Sequence, residues 1–95
     1  MIPSYQTRIH DKLTAALHPQ TLAITDDSAR HAGHSGARPG GETHFSVRIV
    51  AEAFTGLSRV ARHRLVYEIL AAELHERVHA LALTTLTPNE VAYSK

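Results

Sequence analysis

Not one cysteine occurs in these 95 residues, so neither a disulfide nor a thiolate-held metal can brace the chain. A domain this short buries limited surface, and its fold must come from packing a single hydrophobic core. One domain over residues 1–95 is therefore expected. Apolar residues at 43% and charged residues at 20% are adequate for such a core. No apolar run approaches the roughly 18 residues of a membrane span. The missing thiol also limits chemistry, since the chain has no thiolate nucleophile and cannot hold an iron–sulfur cluster by thiolates of its own. Eight histidines remain. Imidazole is a good ligand for zinc, iron, copper and nickel, and its unperturbed pKa lies near neutrality.

Hydrophobic periodicity supplies the elements. Tyr5, Ile9, Leu13 and Leu17 fall four apart with Ala16 beside them, the stripe of an amphipathic helix with Pro3 in its first turn and His18-Pro19 as its stop. Leu22 and Ile24 alternate with Ala23 and Thr25 as a short strand. Between Asp26 and Gly41 the pattern vanishes, and four of the five glycines gather there with Pro39, His31 and His34. That stretch reads as a mobile loop, and loops of about 12–15 residues are often functional. Phe45, Val47, Ile49 and Ala51 then alternate with His44, Ser46, Arg48 and Val50, a half-buried strand. Gly56 makes a turn. From Leu57 the positions Val60, Ala61, Leu65 and Ile69, widened by Val66 and Leu70, return to helical spacing. A short helical turn covers Ala72 to Glu76, and His79 to Thr85 reads as a strand. Thr87, Pro88 and Glu90 have the spacing of an N-cap, a first-turn proline and a capping-box acid. The order α-β-β-α-α-β-α predicts an α+β sandwich with helices on one face of a three-stranded sheet.

Two motifs test for chemistry. His75-Glu76-Arg77-Val78-His79 spells H-E-x-x-H, which in metalloproteases needs both imidazoles on one helical face. Here the helical pattern fades before His79 and strand alternation follows, so the two histidines are expected on different elements, pointing apart. No nucleophile stands at credible spacing from a base, and the chain is read as no enzyme. Arg59, Arg62, His63 and Arg64 form a basic cluster in which the first three share one arc of the helix, either a solvated face with ion pairs to residues such as Glu68 or a phosphate-binding surface. No aromatic platform interleaves it, and a net charge of +1 does not by itself argue for nucleic acid. The first eight residues lack the features of a secretory signal, which points to the cytoplasm.

Phe54-Thr55-Gly56, then after five residues Arg62-His63-Arg64-Leu65-Val66-Tyr67 and Leu70, then Glu73-Leu74 and His79-Ala80-Leu81-Ala82-Leu83, carry a resemblance to the BolA family. Glu42-Thr43-His44-Phe45 upstream agrees, and the match runs from about Asp26 to Glu90. The resemblance implies a class II KH-like fold. It also implies pairing with a monothiol glutaredoxin, the two proteins sharing a [2Fe-2S] cluster whose thiolates come from the glutaredoxin and glutathione. This chain's ligands would be His79 and His31, with His34 able to substitute; His31 stands three residues after Ser28, as the family's loop ligand does. Histidine ligation of one iron raises the potential and makes binding sensitive to pH. His44 and His63 also match family positions and are read as structural, while His10, His18 and His75 carry no signal. Some BolA-like proteins act on transcription, so DNA binding through the Arg-His-Arg helix is the alternative. The isolated chain is expected to be a monomer or a weak homodimer.

Overall fold

A computed structural model describes residues 4–27 and 41–93. Helix α1 (Tyr5–Leu17) starts at Ser4, whose Oγ accepts the Thr7 amide at 3.1 Å. Pro3, expected in the first turn, lies outside the described residues. The predicted stripe is the buried one, with Ile9, Leu13 and Leu17 in the core and Tyr5 packed against it, although Ala16 is exposed. His18 ends the helix in the left-handed region at φ 46°, its amide donating to the Thr14 carbonyl, and Pro19 follows.

Strand β1 (Thr21–Asp26) pairs antiparallel with β2 (His44–Val50), placing Thr21 opposite Val50 and Asp26 opposite Phe45. Strand β3 (Ala80–Leu86) pairs parallel with β2, His44 opposite Ala80 and Val50 opposite Leu86, so the sheet order is β1-β2-β3. A parallel neighbour needs a crossover. Here it runs through a 3-10 turn (Glu52–Phe54), helix α2 (Arg59–Ile69) and helix α3 (Ala71–Glu76). Gly56 makes the expected turn at φ +85°, where a side chain is disfavoured although open space surrounds it. Helix α4 (Pro88–Tyr93) opens on the predicted capping box. Thr87 Oγ1 accepts the Glu90 amide at 3.1 Å, and Glu90 Oε1 accepts the Thr87 amide at 2.7 Å. No described helix is long and apolar enough to cross a membrane.

The core lies on one face of the sheet. Phe45, Val47 and Ile49 of β2 and Leu81 of β3 meet Ile9, Leu13 and Leu17 from α1, Val66 and Leu70 from α2 and its end, and Phe54 from the turn. Ala23, Thr25, Arg48, Ala82 and Thr84 sit exposed on the other face. Helices on one face of three strands is the expected architecture.

One feature departs from expectation, and a second was not anticipated. Val60, read as part of the apolar arc of α2, is 60% exposed, and Arg62 takes the inward place with Val66 one turn on. Glu73 is fully buried. Its carboxylate receives Arg8 Nε at 2.9 Å and Lys12 Nζ at 2.9 Å, both from α1. Arg8 also forms a two-pronged bridge to Glu76 at 2.8 and 3.1 Å, stacks 4.6 Å above the Tyr5 ring, and leaves Tyr5 Oη donating to Glu76. Burial works to raise the Glu73 carboxyl, but hydrogen bonds from Lys12 and the backbone, with the charges of Lys12 and Arg8, hold it below its ordinary value. Hydrogen bonds from Arg8 and then Tyr5 lower Glu76 in the same way.

Candidate metal centre

Strands β2 and β3 begin side by side, and their first residues are tied together by backbone. The amides of His79 and Ala80 both donate to the Thr43 carbonyl, at 2.6 and 3.1 Å. Arg77 clamps the same junction, its Nε and Nη2 donating to the Gly41 carbonyl at 3.0 and 2.7 Å. Glu42 sits at φ 61° there, with its carboxylate accepting the Gln6 amide of α1. The register His44 to Ala80 thus fixes where His79 stands: immediately before β3, beside the turn that leads into β2.

His79 is exposed, and its ring lies 5.5 Å from that of His44, tilted by 49°. The His44 ring is half-buried and held through Nδ1, which is 2.9 Å from Thr43 Oγ1. Reading His44 as structural captures that bond but not the ring against His79. The sequence hint was available, since both residues immediately precede hydrophobic alternation, but only the parallel register brings two strand starts together.

His31 and His34, the expected loop ligands, lie outside the described residues. Among the described residues no group of three or more His, Asp or Glu gathers to hold a metal. The H-E-x-x-H string divides as expected: His75 is in the last turn of α3, Arg77 ends that helix at φ −150°, and His79 lies beyond it. Its glutamate, Glu76, is bridged to Arg8.

The basic cluster does not survive as one surface. Arg62 is 9% exposed and its guanidinium is engaged on three sides. Nε donates to the Leu57 carbonyl at 2.9 Å, while Nη1 reaches the Thr85 carbonyl at 3.0 Å and Glu90 at 2.7 Å. That bond from Arg62, with those from Thr87, lowers the Glu90 carboxyl from its ordinary value. Expecting Arg62 beside Arg59 and His63 on an outer arc is therefore corrected, as is Glu68 as the local ion-pair partner, since Arg62 pairs with Glu90. Arg59 and Arg64 are exposed, and Arg59 and His63 line a shallow recess with Leu83 to Leu86.

A family model described as BolA-like protein matches residues 13–90. SufE-like protein 1, chloroplastic/mitochondrial, of Arabidopsis thaliana is 48% identical over 88 residues, covering 88% of this chain and 24% of that protein. The DNA-binding transcriptional regulator BolA of Escherichia coli (strain K12) is 46% identical over 83 residues, covering 87% of this chain and 75% of that one. The solved BolA domain of SufE1 from Arabidopsis thaliana superposes with a TM-score of 0.84 at 46% identity, over 95% of this chain and 99% of that one. The chain thus spans about a quarter of the length of the first relative and nearly all of its solved domain.

Proposed function

The chain belongs to the BolA-like family, and from that premise we propose that it pairs, without catalysis of its own, with a monothiol glutaredoxin to hold a shared [2Fe-2S] cluster in iron–sulfur trafficking or iron regulation. The observation that supports this best is His79. Its exposed imidazole makes no side-chain hydrogen bond among the described residues, and its backbone is pinned to Thr43, so the ligand is accessible while its origin is fixed.

The donor set fits a jointly held cluster. Such clusters need four ligands, commonly thiolates, and this chain offers imidazoles and no thiol. His79 would hold one iron together with His31, or His34 in its place, and the partner cysteine and glutathione would complete the set. The cluster supplies one-electron redox chemistry when bound. The pinned backbone would set the direction from which the His79 imidazole reaches the iron, and the ring would have to be neutral to bind, so low pH would oppose assembly. Mixing the chain with a monothiol glutaredoxin under reconstitution conditions should give a heterodimer with a visible spectrum distinct from the glutaredoxin homodimer. His79→Ala should abolish that difference, and a spectrum indifferent to adding this chain would sink the proposal.

A second reading, DNA binding, is favoured by the designation of the Escherichia coli relative as a DNA-binding transcriptional regulator and by the exposure of Arg59 and Arg64. Binding should weaken steeply with salt, and Arg59→Ala should lower the slope of log affinity against log salt by about 0.9. An unchanged slope removes Arg59 from the contact. The Arabidopsis relative is designated chloroplastic/mitochondrial, which does not support the expected cytoplasmic placement.

A further inference from the structure

We infer that β1 pairs along its outer edge with β1 of a second copy of this chain, joining two molecules weakly into one continuous sheet. The inference starts from a difference between the two edges of the sheet. The outer edge of β3 is capped by side chains, since Tyr67 Oη donates to the Leu81 carbonyl at 3.4 Å and Arg62 Nη1 to the Thr85 carbonyl at 3.0 Å. On β1, the Asp27 amide donates to the His44 carbonyl, so the odd-numbered residues face β2, and Leu22 and Ile24 turn their amides and carbonyls outward. No described strand meets them, and Gln6 Nε2 reaches the Ile24 carbonyl at a marginal 3.5 Å. Proteins ordinarily blunt a sheet edge with charge, proline or a covering element. From Thr21 to Thr25 the strand carries neither charge nor proline.

The strand is also complementary to itself. A two-fold axis at Ala23 places Leu22 opposite Ile24 of the second copy and Thr21 opposite its Thr25. Leu22 and Ile24 then exchange amide–carbonyl bonds across the axis, and the two Ala23 residues face each other in the close, non-bonded position. Leu22 and Ile24 lean on the core while Thr21, Ala23 and Thr25 are exposed, so apolar side chains meet on the helix side and threonines on the other. Asp26 comes opposite Gln20 of the second copy, and no like charges oppose each other. Beside this edge α1 and β1 bound an open recess of about 580 Å³, lined by Gln6, His10, Leu22 and Ile24, which gives the incoming Leu22 and Ile24 room on the helix side.

A pair of six-residue strands buries less than the roughly 1,200 Å² of a standard interface, so the association is weak and depends on concentration. β1 and β3 lie on opposite sides of β2, and the pairing neither needs nor blocks His79.

Sedimentation equilibrium of the full chain from about 0.02 to 2 mM tests this: the weight-average mass should climb towards twice that of the monomer. Ala23→Lys, at an exposed position, sets like charges face to face on the axis and should keep the chain monomeric, with circular dichroism confirming the fold. Mixing it in equal parts with Ala23→Glu should restore the dimer. Because the chain lacks cysteine, Ala23→Cys carries a single thiol, and mild oxidation should cross-link it at least tenfold faster than Thr84→Cys, which is exposed on the same sheet face. A parent that stays monomeric throughout overturns the pairing, as does a dimer indifferent to Ala23→Lys, or equal cross-linking rates. Slow exchange of the Leu22 and Ile24 amides in a monomeric parent would assign the edge to a segment of the same chain and also overturns it. If Ala23→Lys does not fold, the two cross-linking rates decide.

Discussion

The guanidinium of Arg62 joins the turn that leads into α2, the edge strand β3 and the capping box of α4, through Leu57, Thr85 and Glu90. Its aliphatic stem lies against the core and its cation packs 6.0 Å from the Phe54 ring centre, which lets an arginine occupy an inward helix position. Arg62→Met keeps the stem and removes the donors. The buried Thr85 carbonyl then loses its side-chain partner, and an unsatisfied buried acceptor costs about 1–3 kcal/mol. Urea unfolding followed by circular dichroism should show that loss, with only partial recovery in Arg62→Lys because an ammonium lacks the planar fork. A Met variant as stable as the parent would show that the carbonyl does not need the arginine. A helical wheel groups Arg59, Arg62 and His63, but it cannot say which arc meets the sheet, and the partner that decides the matter is 28 residues away. The place of His79 just before β3 was legible because strand alternation begins after it; the nearness of the His44 ring was not, because strand register is absent from local pattern.

At the scale of elements, most of the fold was visible as a change of period: four-residue spacing in α1 and α2, alternation in β2 and β3, and the Thr87–Glu90 box that starts α4. What local pattern could not reveal was the charge staple from α1 to α3. Glu73 is invisible as a core residue because burial of a carboxylate depends on Arg8 and Lys12, which lie more than sixty residues earlier. The staple predicts an acid limit to stability. Glu73 and Glu76 both have carboxyls lowered in the folded chain, so their contribution is complete above the ordinary glutamate value of about 4.3 and is lost as pH falls through the depressed folded values. The urea midpoint should hold from pH 7 to about 5 and then fall. Glu73→Gln should start less stable, because it leaves Arg8 and Lys12 without their buried counter-charge, and should show a shallower acid decline. An equally steep decline in that variant would assign the acid limit to other carboxylates.

For the molecule as a whole, the decisive property is the asymmetry of a three-stranded sheet covered on one face. A domain of 95 residues is stable by about 5–14 kcal/mol in total, so its single core has little reserve. The two faces should therefore respond very differently to the same loss of atoms. Phe45 points from β2 into the core and is 1% exposed, whereas Thr84 points from β3 to solvent on the uncovered face. Phe45→Ala removes a ring among Ile9, Leu13 and Phe54 that no disulfide can compensate, at a cost of about 3–5 kcal/mol. Thr84→Ala should change stability by less than about 0.5 kcal/mol. Both are read by urea unfolding at pH 7, with the slope against urea unchanged in each if unfolding remains two-state and exposes similar surface. A large loss on Thr84→Ala would mean that the outer face is covered in solution, and self-association would then be the first thing to measure. A small loss on Phe45→Ala would mean that the core collapses around the gap, against the dense packing on which a cysteine-free domain of this size depends.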